Sequence, residues 1–292
     1  MEPFVIGLVA LSAVLHVAWN VRLKTSGDPI RAATIGMLAG SAVIVPVGLL
    51  AWWWTDGTAP EPGGLALGVL SGTVEAGYFI LLSAAYRRGD LSVVYPIARG
   101  TAPLLAVAIG VGILGERLGI AGSIGVGLLL LGFLLLQRPW RVLRGHRGLD
   151  PSIMFALATG VTIATYSAID RVGTRLIEPV PYAAILTLTT AIVLVLWVRF
   201  QAGGNLFAGG AAAVRRSAVV GWLTLAAYLL ILVALSVAPL SGVAPLRESA
   251  TVFAAAWGSV RLGEATGGRD SARRIGASVV IVAGALLLAS GG

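Results

Sequence analysis

The stretch LSVVYP at Leu91 to Pro96 returns 149 residues later as LSGVAP at Leu240 to Pro245. After one residue is dropped, Arg99 falls on Arg247, Thr101 on Ser249, Gly115 on Gly263 and Glu116 on Glu264. Further on, IGVGLLLLGFLLL (124–136) resembles IGASVVIVAGALLL (275–288). A proline, an arginine and a Gly-Glu pair in the same order twice mark an internal repeat, which bounds the fold more tightly than any single motif.

Composition says what is repeated. The 292 residues are 57% hydrophobic and 12% charged, against about 25% charged in an ordinary soluble domain. A membrane-spanning helix needs roughly 20 mainly apolar residues. Ten such segments are expected, at about 4–24, 31–54, 65–87, 92–114, 119–137, 152–172, 181–200, 216–237, 241–262 and 273–290. The first has an acidic flank and no small-residue cleavage site, so it reads as a span and not as a removable signal. The fold class is therefore all-α integral membrane.

The repeat assigns five spans to each half: residues 1–140, a cytoplasmic linker at 141–150, and residues 151–292. An odd number of spans turns the second half upside down relative to the first. Inverted repeats of this kind are a recurring plan of secondary transporters, with a central cavity at the repeat interface. Charge gives the orientation. Of the 21 basic residues, 16 fall in the odd-numbered loops and only Arg117, Arg171 and Arg175 in the even ones. By the positive-inside rule the odd loops face the cytoplasm and both termini face outward. The net charge of +8 is scattered over short loops, which speaks against a nucleic-acid surface. The absence of cysteine excludes disulfides, thiolate nucleophiles and Cys-ligated metals. Trp52, Trp53, Trp54, Trp140 and Trp197 sit at predicted span ends, as an interfacial belt does.

Two five-helix halves, each with a proline-bearing fourth helix, a GE corner (LGERLG at 114–119, LGEATG at 262–267) and a glycine-spaced last helix, resemble the EamA-type drug/metabolite transporter superfamily. The second corner departs from the pattern in running straight into the polar GGRDSARR (267–274). The likeness covers nearly the whole chain and is greatest to bacterial exporters of aromatic and other amino acids. It implies export, a small-molecule substrate, a location in the bacterial inner membrane with periplasmic termini, and no cofactor or metal. It leaves monomer and homodimer, and coupling to a proton, open.

Within the stretch GTVEAGYF (72–79), Glu75 stands near the centre of the third span. There a charged carboxylate costs about 2.5–3.5 kcal/mol on insertion scales. It shares a helical stripe with Gly68, Ser71, Gly72, Tyr78 and Phe79, which is expected to face the bundle interior. Its repeat counterpart is Thr224, so the carboxylate is not a fold requirement. Two readings stand: a proton-titrating group or counter-ion for a substrate amine, and a protonated structural glutamate.

The first span adds Ser12, His16, Trp19 and Asn20 on one face; the sixth adds Thr159, Thr162, Tyr166 and Asp170; the eighth adds Thr224 and Tyr228. Cavity lining and plain interhelical hydrogen bonding are the competing roles. The candidate substrate-binding residues are His16, Trp19, Asn20, Glu75, Tyr78, Phe79, Tyr95, Arg99, Tyr166, Tyr228 and Trp257, whose aromatic members can stack on a ring and attract an amine. Arg99 and Arg247 can each clamp a carboxylate. Their presence in both halves favours instead a structural role, snorkelling or holding carbonyls freed by proline. Pro96, Pro103 and Pro245 are candidate hinges. The spacings Gly36/Gly40 and Gly64/Gly68/Gly72 permit close helix approach.

Other motifs fail on context. GVGILG (110–115) matches GxGxxG but no strand precedes it, and no metalloprotease, P-loop or serine-elbow pattern occurs. His146 stands alone in a basic loop. The expected function is thus a secondary transporter working by alternating access and not an enzyme. The alternatives are a multidrug or other metabolite carrier of the same fold, and a membrane enzyme on lipid-linked substrates.

Overall fold

In the computed structural model the described residues are 1–54, 60–88, 91–137, 140, 151–201, 205–248 and 268–290. They form ten helices: α1 Pro3–Lys24, α2 Pro29–Trp54, α3 Pro62–Arg88, α4 Leu91–Gly112, α5 Ile120–Gln137, α6 Pro151–Gly173, α7 Pro179–Gln201, α8 Gly210–Val237, α9 Leu240–Glu248 and α10 Gly268–Ser290. Five of them open on proline. Its missing N–H would be unpaired at a first helical position anyway, and its fixed φ suits the helix. This is why α2, α3 and α7 start two or three residues ahead of the apolar stretches read from hydropathy. α8 starts six residues early because GAAAV (210–214) is built mostly of good helix formers.

Six helices, α1, α2, α3, α6, α7 and α8, are long and apolar enough to cross a bilayer. Three more of the ten expected spans coincide with shorter apolar helical stretches, Ile97–Gly112, Ile120–Leu135 and Gly276–Leu288. α4 stops at a turn where Gly115 takes φ +66°, a conformation that favours glycine.

The packing interleaves the chain. The large helix contacts all join a helix from residues 1–140 to one from 151–292: α1 with α8, α2 with α7 and α8, α3 with α6 and α7, α4 with α6 and α9, and α5 with α10. Contact faces combine large apolar residues, such as Ile30, Ile35, Met37 and Ile44 of α2, with small ones that the lipid-facing side largely lacks. On α2, Ala32, Ala33, Gly36, Gly40, Ser41 and Gly48 are buried, whereas Val43, Val47, Leu49 and Leu50 are exposed. Lipid is as apolar as a protein core, so close approach is what such helices gain from burial. A Cβ on Gly221 of α8 would lie 1.9 Å from the Gly36 carbonyl oxygen, so only glycine permits this crossing. Gly64, Gly68 and Gly72 likewise press on Ile177, Ile185 and Leu186 at α7 and the turn before it.

Long-range contacts sort the helix ends. The Met1 ammonium donates to Leu288 O at 2.8 Å, Met1 also touches Gly242, and Gly64 meets Ile177. At the other end Arg22 and Ser26 share a cavity with Arg216, and the Arg88 guanidinium lies 4.8 Å over the Phe155 ring. Residues near odd-numbered loops therefore meet one another, as do those near even-numbered ones.

Candidate functional site

The interior between these helices is a polar and aromatic seam. On α1, Trp19 Nε1 donates to His16 Nδ1 at 3.2 Å, with the rings edge-on at 4.7 Å. Nδ1 is thereby the acceptor, so a neutral His16 carries its proton on Nε2, and that atom is buried with no hydrogen-bond partner among the described residues. From Trp19 the ring contacts continue to Phe79 (6.3 Å), Tyr78 (4.9 Å), Tyr166 (5.9 Å) and Tyr228 (5.7 Å). One unbroken run of rings thus joins α1, α3, α6 and α8. Most of the contacts are edge-to-face, the geometry aromatic quadrupoles prefer.

Two buried carboxylates flank this run. Glu75 is 4% exposed, and its Oε2 lies 2.9 Å from Thr190 Oγ1 of α7. The same hydroxyl is within reach of Gly72 O (3.0 Å) and Leu186 O (2.9 Å). Asp170 of α6 is 0% exposed. Its Oδ1 accepts from the Tyr182 hydroxyl at 2.9 Å and its Oδ2 from the Tyr228 hydroxyl. Tyr182 is seated by Gly173, where a Cβ would lie 2.3 Å from the tyrosine ring.

Two cations complete the seam. Arg99 of α4 and Arg247 of α9 are buried and lie within electrostatic reach of His16 and Tyr166. Neither is turned outward, so the snorkelling expected as one of their roles is replaced by burial in the bundle. Asn20 donates to His16 O at 3.0 Å and, with Tyr78, Arg99 and Thr159, borders a void of about 10 Å³, room for about one water.

The structure therefore brings His16, Trp19, Asn20, Glu75, Tyr78, Phe79, Arg99, Tyr166 and Tyr228 to one interior. Trp257 lies outside the described residues, as does the side chain of Tyr95. The helices continue through Pro96, Pro103 and Pro245. The packing adds three participants. Asp170 was grouped with Tyr166 by helical spacing but not placed among the binding residues; Tyr182 and Thr190 stood in an unremarkable apolar run.

One reading is corrected. Arg171, expected from the sequence in an even-numbered loop, lies within α6, buried. Its Nε meets Glu116 Oε1 at 3.2 Å, and its guanidinium also donates to Leu235 O of α8. Glu116, from the first GE corner, accepts in addition from the backbone N–H groups of Leu240 (2.7 Å) and Ser241 (2.9 Å). A carboxylate there satisfies orphan donors at the start of α9 and complements the helix dipole. The corner ties α6, α8 and α9 together.

A bundle of apolar helices with buried ions and rings at the contact of its two parts defines a multi-span membrane protein with a polar interior. Residues 3–138 match the model of the EamA-like transporter family, which supports the likeness to the EamA-type drug/metabolite transporter superfamily. The match supports a multi-span membrane transporter of small metabolites. A solved crystal structure, described only as that of a protein, shares the fold with a TM-score of 0.69 and 21% identity over 97% of this chain and 94% of that one. No curated protein matches the chain.

Proposed function

We propose that the chain moves small amphiphilic zwitterions, aromatic and other neutral amino acids among them, out across the bacterial inner membrane by alternating access of two inverted five-helix halves. The domain limits are those of the repeat, 1–140 and 151–292, and both termini are periplasmic. The observation that carries this reading is the seam itself, in which rings, two guanidinium groups and two carboxylates converge where helices of the two halves meet. Exchange symmetry in the packing supports the inversion: α1 on α8 mirrors α6 on α3, and α3 on α7 mirrors α8 on α2.

In this reading Arg99 and Arg247 receive the substrate carboxylate bidentately. The free Nε2–H of His16 donates to the same group, and Trp19, Tyr78 and Phe79 receive the side chain. Pro96, Pro103 and Pro245 let α4 and α9 rock. Glu75 exchanges a proton with transport, because its partner among the described residues, Thr190, serves either protonation state. Thr190 has one hydroxyl proton. It can give that proton to Glu75, or give it to Leu186 O while accepting one from Glu75.

Counterflow of labelled aromatic amino acids in liposomes holding only this protein, at two pH values, tests the reading. Saturable exchange that changes with pH is expected. Absence of counterflow for every amino acid tried removes the substrate class, and lipid turnover without solute movement would establish the enzyme alternative.

A further inference from the structure

Away from the seam, a cavity of about 340 Å³ opens at the end of the bundle where α1 finishes and α8 begins. Arg22, Thr25 and Ser26 line it from α1 and the turn after it, and Ala213, Arg216 and Ser217 from α8. We propose that this cavity is a binding site for a phosphate-class anion, either the headgroup of an anionic phospholipid or free phosphate, held between Arg22 and Arg216.

Among the described residues the lining holds two guanidinium groups and no carboxylate. Asp28, nearby in sequence, is committed to Arg31 at 3.2 Å. Arg216 makes no hydrogen bond or ion pair among the described residues. Arg22 spends one N–H on Ala18 O at 3.3 Å, leaving four of its five donors. Two uncompensated guanidinium groups facing one cavity repel each other, and a shared anion turns that repulsion into bidentate attraction, the geometry in which arginine binds phosphate.

The backbone adds to the same sign. α8 begins at Gly210, whose N–H is spent on Phe207 O at 3.0 Å, and its first residue on the cavity is Ala213, so the wall lies within the first turns of the helix, where the positive end of the dipole favours an anion. The opposing carbonyls at the end of α1 are already occupied: Thr25 and Ser26 bond to Val21 O and Leu23 O through both backbone and hydroxyl. What remains is a donor-rich pocket. It can hold a phosphate with its attached glycerol, since 340 Å³ exceeds the volume of a water, about 30 Å³, roughly tenfold.

A lipid also has a place for its chains. Leu11, Val14 and Val21 are exposed along α1 and lead toward Arg22. Basic pockets between spans at the cytoplasmic end, where the positive-inside rule puts Arg22 and Arg216, suit anionic headgroups.

Native mass spectrometry of the full-length protein, offered phosphatidylglycerol and phosphatidylcholine of the same acyl chains, tests this. The wild type is expected to retain phosphatidylglycerol about tenfold better. The Arg22→Gln/Arg216→Gln double variant is expected to lose that preference, and Arg215→Gln, whose side chain does not line the cavity, to keep it. Thermal stabilisation by inorganic phosphate in the wild type but not in the double variant, without lipid discrimination, would assign free phosphate as the source. Ala213→Leu fills the cavity while leaving both arginines, and is expected to abolish retention even if the double variant fails to fold. Equal retention of both lipids with no phosphate effect, or a loss of equal size in Arg215→Gln, would overturn the site.

Discussion

Glu75 and Asp170 are buried in the same seam and are held in contrasting ways. Asp170 has a phenol on each oxygen, from Tyr182 and Tyr228. Hydrogen bonds to an ionised acceptor are the strong ones, and both donor rings are fixed by packing. Among the described residues Glu75 has one hydroxyl, which it shares with two backbone carbonyls. The first arrangement suits a permanent anion that sets the shape and potential of the interior; the second suits a group that changes state. Burial by itself therefore does not define a carboxylate's role. The number and mobility of its donors do.

The contrast can be broken most directly at Asp170. Asp170→Ala leaves two buried phenol donors without an acceptor, at about 1–3 kcal/mol each. A large drop in unfolding temperature, read by fluorescence-detected size exclusion in detergent, is expected. If Asp170→Ala were as stable as Glu75→Ala, the two carboxylates would not differ as argued.

Gly173→Ala should act on the same bond indirectly, since its new methyl would collide with the Tyr182 ring. Overpacking costs about 1–3 kcal/mol. Gly77→Ala, with nothing within 4 Å of the added carbon, is the control and should gain slightly from the better helix propensity of alanine.

Thr190→Val removes the hydroxyl beside Glu75 and should cost about 0.5–1.5 kcal/mol, the net worth of one hydrogen bond. Equal destabilisation by Thr190→Val and Asp170→Ala would again erase the difference.

Glu75→Gln is expected to change the unfolding temperature least, because an amide still bonds Thr190. Its effect lies in transport: counterflow should proceed at a rate that no longer depends on pH. An unchanged pH dependence would remove the titrating role and leave Glu75 structural.

Glu116→Gln sharpens a different boundary, between site and scaffold. It leaves the buried Arg171 guanidinium without its counter-charge, so a loss of stability is expected, with the pH dependence of counterflow unaltered.

Much of this was legible in the chain. Hydropathy and the repeated proline, arginine and Gly-Glu landmarks located the helices, and helical spacing brought His16, Trp19, Glu75, Tyr78, Phe79 and Tyr166 to inward faces. Asp170 was visible on the Tyr166 stripe. Its partner Tyr182 was not, because a tyrosine two residues into a proline-led apolar run looks the same whether it faces lipid or a carboxylate. Glu116 was seen as a corner marker, but its contacts with Arg171 and with the first N–H groups of α9 join residues 55 and 124 or more apart, and no local pattern encodes such a pairing. Arg171 was misplaced for a related reason: a basic residue at the end of an apolar run reads as a loop cation unless its counter-charge is known to come from elsewhere in the fold.

The sequence by itself determined that this is a helical membrane protein, where its helices run, and which polar groups must avoid lipid, because the cost of exposing backbone or charge to hydrocarbon is local and large. The tertiary structure alone decided which helices touch and which donor serves each buried ion. Hydrocarbon and protein interior are equally apolar, so hydropathy ranks neither face of a helix. The choice falls to glycine-permitted close approach and to hydrogen bonds between residues far apart in the chain.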